Sequence, residues 1–199
     1  MMSTLINTGS EKKVRLFVAT AWAGERSLAL ESWGEELPFR IKIVPDEQLH
    51  LTWCFLGHCH PAIIPKVTQI LADATQVHAP IEATVQPPIW WPQASRATGI
   101  ACPVEPVASF QALAKYLQNL LMPLANVSNQ KNAPNFRPHI TLARLKAFQR
   151  GRMNLKSFPL SGGVEQPWSV DHISLYQSQL TDEGPIYSRL YTKALQGKG

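Results

Sequence analysis

Hydrophobic and polar positions along this chain follow two periods, and the switches between them mark the predicted elements. Residues 14–20 (Val-Arg-Leu-Phe-Val-Ala-Thr) are short, apolar and β-branched at the ends, which predicts a buried strand. Leu28, Leu30, Trp33 and Leu37 then fall at helical spacing and predict a helix over 24–37, ended by Pro38. A short strand is expected over 41–44, broken by Pro45, and a longer one over 49–56, closed by Gly57. Helical spacing returns over 61–77, where Ile64, Val67, Ile70, Leu71 and Ala74 share one face. Strands over 81–85 and 96–104 flank a Pro- and Trp-rich connection, 87–92. A third helix is predicted over 107–121, with Phe110, Leu113, Leu117, Leu120 and Leu121 on one side. Beyond it come a polar loop over 126–134, a strand around His139 and a Gly/Lys/Arg-rich connection over 146–156. Strands over 170–178 and 187–195 complete the pattern.

Strands and helices are interleaved without a low-complexity linker. That order suits an α+β fold of two lobes, each a mostly antiparallel sheet with helices on its outer face. With 199 residues, 45% of them hydrophobic, the chain is long enough for one such domain over 14–199, preceded by a flexible N-terminus over 1–13. The net charge of +5 favours an anionic partner only weakly. Three cysteines, Cys54, Cys59 and Cys102, form no disulfide framework and read as reduced thiols. The N-terminus lacks the apolar core of a signal peptide, and no apolar run approaches a membrane span, so a cytoplasmic protein without membrane attachment is expected.

A motif that occurs twice carries the chemistry. Pro45 precedes His50 by five residues, and Pro134 precedes His139 by the same interval. Each His is followed by an aliphatic residue (Leu51, Ile140), then a Thr (Thr52, Thr141), and a Leu six positions after the His (Leu56, Leu145). On a strand, residues i and i+2 share a face, so His50 projects with Thr52 and His139 with Thr141, while Leu51, Ile140 and Leu142 turn to a core. Imidazoles titrate near neutral pH, so of two in one cleft one can accept a proton while the other donates one. Thr hydroxyls can donate to phosphoryl oxygens as charge grows there. One His-x-Thr would mean little; two with matched Pro and Leu positions point to hydrolysis of a phosphate ester without a metal.

With these residues in view, the chain resembles the two-histidine (2H) phosphoesterase superfamily, and within it the bacterial and archaeal RNA 2′,3′-cyclic phosphodiesterases, also described as 2′-5′ RNA ligases. The resemblance rests on Arg15-Leu16-Phe17-Val18-Ala19, on Leu49-His50-Leu51-Thr52 with Phe55-Leu56-Gly57, and on Pro138-His139-Ile140-Thr141-Leu142-Ala143-Arg144. It extends to the tail, Leu175 to Leu180 with Gly184-Pro185-Ile186-Tyr187. It implies a bilobal fold with both motifs lining a central groove. It further implies cofactor-free opening of a 2′,3′-cyclic phosphate, on RNA or a nucleotide, to a 2′-phosphomonoester; separately from the resemblance, a monomer is expected. Carried over by position, His50 is the general acid on the leaving 3′ oxygen, His139 the base acting on water, and Thr52 and Thr141 bind phosphate oxygens. Arg144 matches the Arg of the family's second motif, yet strict alternation puts it on the face opposite His139 unless the strand twists or bulges. Joining RNA ends through a 2′-5′ bond, action on a small cyclic nucleotide, and non-catalytic RNA binding stay open as alternatives.

Other candidates are weaker. Cys54, His58, Cys59 and His60 lack the paired spacing of a metal site. Trp90 and Trp91 could stack on a nucleobase or pack at a lobe junction, and Phe17 and Phe55 read as core. Lys146, Arg150, Arg152 and Lys156 could steer RNA phosphates or form a solvated loop. His78 and His172 read as ordinary surface or core residues.

Overall fold

A computed structural model describes the protein over residues 12–24, 37, 40–125, 136–146, 155–158, 160, 164–182 and 184–197. Among these, the strands are β1 (Val14–Ala21), β2 (Ile41–Ile43), β3 (His50–Cys59), β4 (Ile81–Val85), β5 (Ile89–Trp91), β6 (Gly99–Glu105), β7 (His139–Leu145), β8 (Gln166–Val170), β9 (His172–Leu180) and β10 (Pro185–Ala194). The helices are α1 (Ile64–Val77) and α2 (Val107–Leu121). No helix among the described residues is long and apolar enough to cross a membrane.

The strands pair antiparallel in the order β10-β9-β1-β3-β7-β6-β4-β8, with β2 added beside β7 and β5 beside β6. This is the α+β architecture expected, but the two halves are one path, not two separate sheets. They meet where β3 and β7, the two motif strands, touch at the pair Leu51–Ile140. The halves are also interleaved in sequence. β9 and β10, from the end of the chain, pair with each other and β9 with β1, whereas β2, from the beginning, crosses to β7.

One face of this sheet is held by the helices. Val67, Ile70, Leu71 and Ala74 of α1 are buried against β9, β10 and α2. Phe110, Leu113, Ala114, Leu117 and Leu121 of α2 are buried on the side of β3 and β6. Leu51 and Trp53 turn toward α2, where the Trp53 indole stacks on Phe110 with ring centroids 5.5 Å apart. Each buried Leu or Phe contributes about 1.5–3 kcal/mol, so this face anchors the strands and leaves their other face available for chemistry.

The predicted helix over 24–37 and loop over 126–134 fall almost wholly outside the described residues. Three departures have physical reasons. Gly57 does not end its strand: it adopts φ 70°, a conformation open to Gly, beside a register shift against β1, and β3 continues to Cys59. The Pro-rich connection over 87–92 contains β5, three residues with prolines on both sides that pair only with β6. β8 was hidden by Pro167, which is tolerated because β8 is the last strand of the order and pairs only with β4.

Candidate active site

The seam between β3 and β7 brings the two motifs together. With Leu51 opposite Ile140 in an antiparallel pair, His50 aligns with Thr141 and Thr52 with His139. Residues opposite one another share a face, so both imidazoles and both hydroxyls lie on the side away from α2. Each His thus faces the Thr of the other half.

The imidazoles are anchored in the same way. His50 Nδ1 lies 2.6 Å from the backbone oxygen of Gln48, and His139 Nδ1 lies 2.8 Å from that of Arg137. A carbonyl oxygen can only accept, so Nδ1 carries the proton in both rings and Nε2 is left to exchange protons. Burial is the main cause that pushes both pKa values below the ordinary histidine value. The hydrogen bond to the carbonyl opposes it in each case. Arg144 and His139 add to the lowering at His50, and Arg137 and Arg144 add to it at His139. One guanidinium, Arg144, therefore acts on both histidines.

Arg144 reaches this face because β7 bulges. Thr141 pairs with Ala101 and Ala143 with Ile100, so Leu142 is an extra residue. Leu142 and Ala143 are both buried, and Arg144 returns to the exposed side shared by His139. The first motif has the same device at the same offset. Thr52 pairs with Ala19 and Cys54 with Val18, so Trp53 is extra, Trp53 and Cys54 are both buried, and Phe55 emerges on the groove side. Phe55 is 46% exposed, which corrects its reading as core. The two bulges therefore put a phenyl ring in one half where the other half has a guanidinium.

The surroundings of the two histidines differ. Phe17 lies 5.2 Å from the His50 ring and Tyr187 meets it edge-on at 5.5 Å; Phe17 also stacks on Tyr176 at 5.2 Å. Phe17 is buried, as expected, but on the site side of β1. These rings, with Gln48, Glu47 and Arg189, line a cavity of about 260 Å³ beside His50. The Gln48 side chain donates to the Pro185 backbone oxygen at 3.0 Å, which ties the Gly-Pro-x-Tyr tail to the turn that anchors His50. Around His139 the partners are the Trp91 indole, stacked at 4.1 Å, and Arg137, whose Cζ lies 4.3 Å from the Trp91 ring. Gln48, Tyr176, Tyr187 and Arg137 were not recognised as site residues from sequence, and Trp91, weighed there as a nucleobase platform or a packing residue, stacks instead on His139. The repeated offset of the motif was a signal for Arg137, which stands two residues before its His as Gln48 does.

Other sequence candidates do not join the site. Cys54 and Cys59 are buried and His58 and His60 exposed, and no three metal-binding side chains cluster among the described residues. Trp90 is buried and donates to the Phe158 backbone oxygen at 2.7 Å. Trp91 is engaged with His139 and Arg137. His78 packs edge-on against Tyr116, and His172 Nδ1 lies 2.6 Å from Asp171. Of the basic stretch, Arg150 and Arg152 lie outside the described residues, and Lys146 and Lys156 are exposed.

Comparison with known proteins gives a consistent set of relatives. A family profile described as LigT like Phosphoesterase matches residues 104–187, a span that holds the second motif and most of the tail but not the first motif. The chain is 30% identical over 197 residues to the RNA 2′,3′-cyclic phosphodiesterase of Thermus thermophilus, covering 93% of this chain and 92% of that protein. It is 27% identical over 187 residues to the enzyme of the same name from Aquifex aeolicus, covering 89% and 95%. A crystal structure of a Thermus thermophilus protein superimposes with a TM-score of 0.71 at 28% identity, over 93% of this chain and 100% of that one. The apo structure of E. coli LigT shares the fold, with a TM-score of 0.61 at 22% identity over 92% and 98%.

Proposed function

Since the chain belongs to the LigT-like phosphoesterases, we propose that it hydrolyses 2′,3′-cyclic phosphate ends of RNA to 2′-phosphomonoesters, with two histidines and no metal. The observation that carries this reading is the seam itself. Two imidazoles, each with Nδ1 tied to a carbonyl two residues earlier, lie on one face with Thr52, Thr141 and Arg144.

In this mechanism His139 Nε2 accepts a proton from water as the water oxygen bonds to phosphorus. The bond from phosphorus to the 3′ oxygen breaks, and His50 Nε2 gives its proton to that oxygen. The product keeps its phosphate on the 2′ oxygen and gains a 3′ hydroxyl; solvent resets both protonation states. Arg144 and the two Thr hydroxyls stabilise charge on the non-bridging oxygens, the task a metal performs in other phosphoesterases. Arg144 disfavours a proton on both rings, but Arg137 does so at His139 alone, which supports His139 as the base. The aromatic cavity beside His50 supports a nucleoside as the group carried by the phosphate. The three cysteines are buried and unpaired, which supports a reducing, cytoplasmic setting.

The test is direct. Pure protein in excess chelator is incubated with a 2′,3′-cyclic-phosphate-ended oligoribonucleotide, and the phosphate isomers are resolved. Steady turnover to the 2′-phosphomonoester alone is expected. Activity lost in chelator and restored by one metal, or a 3′-phosphate product, would contradict the mechanism.

A further inference from the structure

The tandem Trp90-Trp91 is not explained by the reaction as drawn so far. Alternation on β5 sends the two indoles to opposite faces. Trp90, 6% exposed and bonded to the Phe158 oxygen, anchors the strand inward. Trp91 pairs with Gly99, which in turn pairs with Arg144, and Thr98 N–H donates to the Trp91 oxygen at 2.6 Å. A Cβ on Gly99 would sit 2.1 Å from the Ala143 oxygen, so β6 carries no side chain between Trp91 and Arg144. The Trp91 indole stacks on His139 at 4.1 Å with an interplanar angle of 19°. Among the described residues, His50 has no such partner: Phe17 is tilted by 41° and Tyr187 meets it edge-on at 84°.

We propose that Trp91 is a positioning residue for His139: its indole fixes the imidazole plane, and its π face stabilises the imidazolium formed when His139 takes a proton from water. The inference rests on the reading of His139 as the base. The Arg137 carbonyl fixes Nδ1 but leaves the ring able to tilt about that bond; the stack removes this freedom and aims Nε2. Among the described residues, Arg137 just before β7, Arg144 on β7 and His50 on β3 are the titratable or charged groups facing His139, while β6 presents Pro103 opposite it and β5 presents Trp91. Burial and the two guanidinium groups disfavour a proton on His139, whereas the indole face favours it. Arg137 rests on the same indole and donates through Nη1 to the Pro92 oxygen at 3.3 Å, so Trp91 contacts both His139 and the guanidinium that opposes its charge.

The test follows His139 by NMR titration and the pH dependence of kcat/KM in Trp91→Leu and Trp91→Phe. Leu keeps the site apolar, so the burial cost largely stays while the π face is lost. In Trp91→Leu the His139 pKa should fall by about half to one pH unit, and the acid limb of kcat/KM should move with it. The kcat should drop about ten- to a hundredfold with KM little changed. Trp91→Phe should lie between wild type and Leu, and it alone decides the matter if the Leu variant does not fold. An unshifted His139 titration in the folded variants overturns the proposal. The titration needs no substrate, so this outcome is distinct from failure of the wild-type protein to open a cyclic phosphate.

Discussion

Replacing either His50 or His139 by Ala is expected to lower kcat by about 10²–10⁴-fold while leaving the fold intact. Both rings lie on the groove face with Nδ1 committed to a backbone carbonyl, so each offers only Nε2 for proton transfer. Truncation removes that nitrogen without opening the core, which is built from Leu51, Trp53, Ile140 and Leu142 on the other face. Because the two act in one step, the double variant should cost much less than the product of the single losses. Thr52→Ala and Thr141→Ala should each cost less than either His variant, since each removes one neutral donor. Steady-state kinetics, with circular dichroism to check folding, measures all of these. Near-normal turnover in both His variants would remove the site assignment.

Arg144→Ala should lower kcat/KM by about 10²–10³-fold, the loss typical when one stabilising donor is removed from a developing oxyanion. The effect has a second signature with a definite sign. Arg144 helps hold both imidazoles below the ordinary histidine value. Without its charge both apparent pKa values rise, and the acid limb of the pH–rate profile moves to higher pH. Arg144→Lys should restore the position of the limb but only part of the rate, because a point charge replaces a planar fork of donors. An unchanged rate would remove Arg144 from the site, and a rate loss with an unmoved profile would contradict its action on the two histidines.

How far this site could be read from sequence depends on which residues are considered. His50, Thr52, His139 and Thr141 were legible because a strand shows one face to every second residue, and that rule holds through the first four positions of each motif. It fails at the fifth. Trp53 and Leu142 are extra residues in their pairings, and the faces of Phe55 and Arg144 change as a result. The clue was two consecutive apolar residues at the same offset in both copies, Trp53-Cys54 and Leu142-Ala143, followed by a residue that need not be buried. Gln48 and Arg137 act through backbone oxygens, which no side-chain pattern reveals. Tyr187 and Trp91 reach the histidines only through strand order: β10 is brought in by β9, and β5 by β6. β8 and β5 were hidden because short strands that contain or adjoin prolines lack the alternation that identifies a longer one.

The central claim is that two histidines divide proton transfer between the attacking water and the leaving oxygen. A substrate whose leaving group needs no protonation separates the two roles. Turnover of such a substrate by His50→Ala, set against His139→Ala, is the most direct measurement. The account predicts that His50→Ala recovers most of the lost rate and His139→Ala does not. Recovery by neither variant, or equally by both, would contradict the division of labour.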